Sequence, residues 1–236
     1  MKTIKGIWRF SRVICYTFVC LFQAYTRFKR VDRKEKGRML RYYPTQVLKL
    51  AGVRCSYEGN VPELLHECGL TDTPPAYMVL SNHISWLDIF SLDSQLPSRF
   101  IAKAEIAKWP VFGLIAQQIG TLFINRSSKR AILRINDDIR GALCNCEAVT
   151  IFAEGTTTFG NELLPIKANF IAPACEIGAT VQPVILSYKN KGKPTKRGAF
   201  AGDVTLFGSL WNVVTMEDAE VVVHFLEPIT NTKDLT

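Results

Sequence analysis

Short apolar runs and longer stripes at helical spacing take turns along most of the chain. Tyr77-Met-Val-Leu-Ser81 is a continuous apolar run and reads as a buried strand, and the segment 86–92 that follows reads as a helix. A strand over 99–102, a helix over 110–118 and a strand over 121–124 come next. Ile132, Ile135, Ile139 and Leu143 recur every three or four positions, which predicts a helix over 128–146 with one apolar face. Strands are then predicted at 149–152, 180–186 and 220–225. This alternation predicts an α/β fold with a central mixed, largely parallel sheet covered by helices. Nearer the amino end, residues 34–51 have helix composition, with Leu40, Val47, Leu48 and Leu50 as apolar positions. Thr71-Asp-Thr-Pro-Pro75 is a turn-rich loop and not a domain linker, and no internal repeat is visible.

Composition changes the picture only at the amino end. The chain has 236 residues, 47% hydrophobic and 21% charged, a globular balance that excludes general disorder. Its formal charge is +8, but residues 1–41 alone carry +10 and the remainder −2. Within that basic end lies the apolar stretch Val13-Ile-Cys-Tyr-Thr-Phe-Val-Cys-Leu-Phe22, bracketed by Arg9 and Arg12 on one side and Arg27, Lys29 and Arg30 on the other. The run is shorter than the roughly 20 apolar residues a spanning helix needs, although Trp8 and Tyr25 extend it as interfacial anchors. No small-x-small cleavage site follows, which argues against a secretory signal. The expectation is an uncleaved helix embedded in or lying on a membrane, its cations on anionic head groups. A soluble packing helix with a solvated basic tail is the plainer alternative. Nucleic-acid binding is disfavoured because the cations surround an apolar plug. The expected division is a docking segment over 1–51 and a catalytic domain over 52–236. Localisation would be the inner membrane, with the catalytic body on the cytoplasmic side.

Seven scattered cysteines do not form a disulfide framework. Cys144-Asn-Cys146 lacks metal spacing and has no neighbouring His, so no metal site is expected. The sequence contains no GxSxG, Walker A, GxGxxG or HExxH motif.

One histidine stands out by position. His83 follows the strand 77–81 in Ser81-Asn-His-Ile-Ser-Trp-Leu-Asp88, at the carboxyl end where open α/β sheets bind ligands. On one continuous helix, residues five apart lie about 140° from each other. His83 and Asp88 therefore meet only if His83 lies in the loop and Asp88 in the first helical turn. Ser85-x-x-Asp88 has the form of a capping box, which supports that placement and also offers a purely structural role for Asp88. A carboxylate on one imidazole nitrogen fixes the tautomer and frees the other nitrogen to take a proton from a hydroxyl. With no Ser or Cys nucleophile beside the pair, the alcohol activated would be the substrate's own.

Asn82-His83-x4-Asp88 resembles the first signature of the glycerolipid acyltransferases, the 1-acylglycerol-3-phosphate acyltransferase family. Lys103-Ala-Glu105, Trp109-Pro110, Gly113, Gly120 and Arg126 are similar to its second block, Phe152-Ala-Glu154-Gly155-Thr156 to its third, and Val181-Gln-Pro183-Val184 to its fourth. The resemblance covers about residues 77–188. It implies that His83 is a general base oriented by Asp88, and that a lysolipid hydroxyl attacks the thioester of acyl-CoA or acyl-carrier protein. Both are co-substrates, and no cofactor is implied. It further implies acceptor contacts from Asn82, Lys103, Glu105, Arg126, Glu154, Gly155, Thr156 and Thr157. The sequence departs from the family at Ala153, where Pro is usual, and at Thr157, where an Arg is expected to contact glycerol phosphate. Losing one charge-assisted contact costs roughly 1.5–3 kcal/mol. Either Lys103 or Lys167 takes over, or the acceptor is not lysophosphatidic acid. An Arg-free third block is also similar to members that acylate lyso-ornithine lipid. A non-catalytic lipid-binding protein on the same fold is the remaining alternative.

Overall fold

A computed structural model describes residues 2–61, 76–125 and 129–235. His66, Cys68, the loop at 71–75 and Arg126 lie outside the described residues. Two long helices come first, α1 (Lys2–Gln23) and α2 (Arg33–Ala51), joined through a π-helical turn over Ala24–Phe28. Asp32 starts α2 by accepting the Glu35 N–H at 2.8 Å, a side-chain N-cap. Gly52 ends it in the left-handed conformation at φ 75°.

The remaining elements are β1 (Val53–Gly59), β2 (Tyr77–Ser81), α3 (Leu87–Asp93), β3 (Arg99–Lys103), α4 (Phe112–Gln118), β4 (Leu122–Ile124), α5 (Lys129–Cys144), β5 (Val149–Phe152), α6 (Ala172–Ile177), β6 (Thr180–Asn190), β7 (Lys193–Pro194), α7 (Leu206–Val214) and β8 (Ala219–Phe225). The strands form one eight-stranded sheet in the order β1-β8-β6-β2-β5-β3-β4, with the short β7 paired to β6. Strands β6, β2, β5, β3 and β4 run parallel to one another, while β8 is antiparallel to β6 and carries β1 parallel to itself. The expected mixed, largely parallel sheet is therefore present.

Alternate residues of the strands feed two separate cores. Val79, Phe152, Val184 and Leu186 pack with Val13, Val47, Leu48, Leu87, Leu92, Leu210 and Val213, so α1, α2, α3 and α7 cover one face. Met78, Val149, Ile151 and Val181 pack with Ile135, Ile139, Leu143 and Ala174, so α5 and α6 cover the other. The stripe read from the sequence as the inner face of the 128–146 helix is this second contact.

Within residues 1–51, the segment expected to dock on a membrane, Val13, Val47, Leu48 and Ala51 lie in the same core as the sheet. Arg9 ties α1 to the carboxyl end of α7 by donating to Met216 O at 2.9 Å and Val214 O at 3.2 Å. Gly52 makes room for that guanidinium, since a Cβ there would lie 2.1 Å from Arg9 Cζ. Besides the two-residue β7, three elements escaped the sequence reading. β1 and α6 went unassigned, and so did α7, which Thr205 caps by accepting Gly208 N–H at 3.1 Å.

Candidate active site

The chain leaves β2 at Ser81, enters an irregular loop over 82–85 and starts α3 at Leu87, so His83 is in the loop and Asp88 in the first turn. This is the one arrangement in which residues five apart can meet, and they do: His83 Nδ1 and Asp88 Oδ2 are 2.7 Å apart. The same Oδ2 accepts the N–H of Ile84 at 2.7 Å and of Ser85 at 2.9 Å. Its other oxygen accepts the hydroxyl of Tyr188 from β6. Asp88 thus combines both roles that the sequence left open, satisfying the backbone at the helix start and holding the imidazole.

The imidazole is also fixed from below. Phe152 stacks on it at a centroid distance of 3.9 Å and an angle of 8°, and Phe100 continues the stack at 5.8 Å from Phe152. Asp88 is fully buried, whereas the His83 side chain keeps 19% exposure. With Nδ1 on the carboxylate, the nitrogen left for a ligand is Nε2, and no described residue bonds it. A carboxylate at Nδ1 favours the tautomer with its proton on that side and leaves Nε2 as a proton acceptor.

Three residues that the resemblance placed at the substrate are bonded instead to the chain itself. Asn82 uses its amide as a strand residue would, donating to Leu186 O at 3.0 Å and accepting Leu186 N–H at 2.7 Å. Glu154, buried at the end of β5, accepts the His83 N–H at 2.8 Å with one oxygen and the Leu164 N–H at 3.0 Å with the other. Thr157 donates its hydroxyl to Phe200 O. Phe200 N–H reaches Ile84 O at 2.9 Å, and Thr158 N–H reaches His83 O at 2.8 Å. The histidine loop is thereby bonded to β6, to the segment after β5 and to the segment around 200. These partners come from far along the chain, so spacing alone gave no sign of them.

Gly155 adopts φ 74°, a turn that brings the backbone round after β5, and Thr156 beside it is exposed. Lys103 is the last residue of β3 and Glu105 lies in the single turn over Ala104–Lys108 that follows, both exposed. Lys103 pairs with Ile124 across β3 and β4. It lies at the carboxyl end of the same parallel strands as Ser81 and Phe152, which pair across β2 and β5. Lys167 reaches that end by another route, its N–H donating to Ala153 O at 3.1 Å. Gly113 has a backbone reason to be glycine, because a Cβ would lie 2.4 Å from Ile106 O. Tyr188 and Phe152 are the site residues with no role assigned from sequence. The signal for Tyr188 is the alternation Val184, Leu186, Tyr188 on the buried side of β6.

The chain is similar to known acyltransferases. A 1-acyl-sn-glycerol-3-phosphate acyltransferase from Neisseria gonorrhoeae is 43% identical over 154 residues, which is 65% of this chain and 60% of the relative. A lyso-ornithine lipid O-acyltransferase from Pseudomonas aeruginosa is 39% identical over 150 residues, 64% of this chain and 58% of the relative. The chain thus matches under two thirds of the length of both. A lyso-ornithine lipid O-acyltransferase from Brucella abortus is 32% identical over 216 residues, covering 86% of this chain and 77% of the relative. The crystal structure of the 1-acyl-sn-glycerophosphate acyltransferase from Thermotoga maritima shares the fold at TM-score 0.65 and 19% identity, over 99% of this chain and 88% of that one. The family model described as Acyltransferase matches residues 55–187, the stretch that holds His83, Asp88, Glu154 and most of β6, and the chain belongs to that acyltransferase family.

Proposed function

We propose that this protein is a membrane-surface lysolipid O-acyltransferase that works by general-base catalysis, and that its acceptor is 1-acyl-sn-glycerol 3-phosphate. The observation that carries the reading is the His83–Asp88 pair at 2.7 Å, held in a loop with Nε2 left for a ligand. In the reaction, Nε2 takes the proton of the acceptor hydroxyl as its oxygen bonds to the thioester carbonyl carbon. The carbon–sulfur bond then breaks, and the departing thiolate takes the proton back from the imidazolium. The products are a diacyl lipid and the free thiol of CoA or acyl-carrier protein, with no acyl-enzyme. Such a base contributes about 10²–10⁴ in rate, and the rest comes from positioning and from stabilising the tetrahedral oxyanion. Lys103 and Lys167, exposed at the carboxyl end of the parallel strands, are the described cations suited to an acceptor phosphate.

The outer face of α1 supports a membrane location. No helix among the described residues is long and apolar enough to cross a membrane. However, Ile4, Ile7, Trp8, Phe18, Val19 and Phe22 are exposed and fall on one side of α1, opposite the buried Gly6, Val13 and Thr17. Phe10 links this stripe to the exposed Phe207 and Trp211 of α7, at ring distances of 6.4 and 6.1 Å. Lys5, Arg12, Lys29 and Arg30 flank it and are exposed. An apolar stripe bordered by cations suits a helix lying in the plane of an anionic leaflet.

Thr157 favours a second reading, lyso-ornithine lipid as acceptor, because that position carries no cation and its hydroxyl is bonded to Phe200 O. The test is an acyl-transfer assay in vesicles, offering lysophosphatidic acid and lyso-ornithine lipid with both thioester donors. Transfer is expected with at least one pair and is expected to disappear in His83→Ala. Full turnover in His83→Ala would sink the base assignment, and no transfer across the panel would favour a lipid-binding protein. Thr157→Arg is expected to shift preference toward the phosphate acceptor about tenfold or more, from one added charge-assisted bond.

A further inference from the structure

Strand β6 does more for the histidine loop than cover it. Its inward residues two apart bracket the loop: Leu186 pairs with the amide of Asn82 at the loop's start, and Tyr188 bonds the carboxylate of Asp88 at its end. The donors on Asp88 are divided unequally. His83 Nδ1, Ile84 N–H and Ser85 N–H all converge on Oδ2 and all belong to the loop itself. Oδ1 receives the Tyr188 hydroxyl, the donor that comes from outside the loop. Both side chains are buried, Asp88 at 0% and Tyr188 at 5% exposure. A buried carboxylate oxygen with no donor is costly, and the charge it bears makes the group more basic.

We propose that Tyr188 is a positioning residue for the acyl-transfer reaction: its hydroxyl fixes the Asp88 carboxylate plane and limits its basicity, so that the proton stays on His83 Nδ1 and Nε2 is offered as the base. The inference rests on the His83–Asp88 reading above. The phenol is suited to this work. Burial and the neighbouring Asp88 charge push its pKa well up, so it stays protonated and donates at every working pH. Other titratable groups facing the pair are few. Cys55 on β1 lies near Tyr188, and burial pushes its thiol up, so it stays neutral. Glu154 addresses the backbone of His83 and not its ring. Among the described residues no cation bonds Asp88, so the phenol supplies the polarisation that a charged partner would otherwise give.

Tyr188→Phe removes one oxygen and keeps the ring, so it isolates the hydroxyl. With the full-length protein in vesicles and the acceptor and donor it turns over best, kcat is expected to fall about tenfold with KM unchanged. Without its outer donor Asp88 becomes more basic and holds the imidazolium more tightly, so the acidic limb of kcat/KM is expected to move up by about one pH unit. A combined Tyr188→Phe and Asp88→Asn variant is expected to be no slower than Asp88→Asn alone, because the hydroxyl acts through the carboxylate. Nitrogen-15 spectra of the three histidines, with the His83 signal assigned from His83→Ala, are expected to show a shifted Nδ1 proton in Tyr188→Phe. A Phe variant with kcat and pH profile within twofold of the parent overturns the proposal. So does one that fails to fold, or one whose loss adds fully to that of Asp88→Asn, because either outcome makes the hydroxyl merely structural. If His83→Ala keeps turnover, the base reading itself fails. If His83→Ala is dead and Tyr188→Phe is unchanged, only the role of Tyr188 fails.

Discussion

Asp88 and Asp93 lie five residues apart at the two ends of α3 and both are buried, yet their surroundings differ. Donors converge on both oxygens of Asp88, while Asp93 accepts the Ser98 N–H at 3.1 Å and burial pushes its pKa well above the usual 3.8. A raised folded-state pKa means the native state holds more protons than the unfolded chain between 3.8 and the folded value, so stability falls as pH rises through that window. Asp93→Asn keeps an acceptor for Ser98 N–H and removes the charge. It is expected to raise Tm by a few degrees at neutral pH, with the gain shrinking as the pH falls through the window between the raised folded-state value and 3.8 and absent below it. Thermal melts across pH check this, and a gain of constant size at every pH would refute it. The His83–Asp88 contact was legible in the sequence because both residues sit in one short segment whose backbone punctuation dictates their meeting. The partners of Asn82 and Glu154 were not legible, since the N–H groups of Leu186 and His83 lie 104 and 71 positions away from them and a backbone N–H carries no residue-type signature. Tyr188 was hidden for the same reason, its role depending on which buried acid β6 happens to cross.

At the level of elements, α1 shows how a pattern can be read correctly in kind and incompletely in detail. The apolar run over 13–22 marked the helix, but its residues divide between faces: Val13 and Thr17 point inward, Phe18, Val19 and Phe22 outward. Arg9 decides which face is inner, since its guanidinium occupies the carboxyl end of α7. Burial lowers its pKa, but an Arg remains charged, so the carbonyls of Val214 and Met216 must hold it. Arg9→Met is expected to cost about 1.5–3 kcal/mol, the value of a charge-assisted hydrogen bond. It should also speed amide exchange along α1 while leaving β2 and β5 protected. Uniform protection would mean α1 is held by packing alone. The parallel strands β2 and β5 were placed to the residue because strands buried on both faces read as unbroken apolar runs. By contrast, β1 at the sheet edge and α7 each carry a period that went unread: apolar and polar residues alternate along β1, and Leu206, Leu210, Val213 and Val214 recur at helical spacing in α7.

For the molecule as a whole, the excess positive charge and the exposed apolar stripe occupy the same helical end, and the His83–Asp88 pair lies at the carboxyl end of the parallel strands. Ile7→Glu together with Phe18→Glu places two charges on the outer face without touching the core. Each apolar side chain buried in lipid is worth about 1.5–3 kcal/mol, so sedimentation with anionic vesicles is expected to weaken at least tenfold at unchanged Tm. Equal sedimentation would remove α1 as the docking element. The bonds from Arg9 to Val214 and Met216 join residues 205 and 207 positions apart, and β1 pairs with β8 across 166 positions. During synthesis, then, the first helix emerges long before the surface that receives it exists. The α7 surface that receives Arg9 is complete only at Met216, and β1 waits without its neighbour until Phe225 has been made. Loss of the segment 206–225 would therefore leave both the α7 contact of Arg9 and the pairing of β1 unmade.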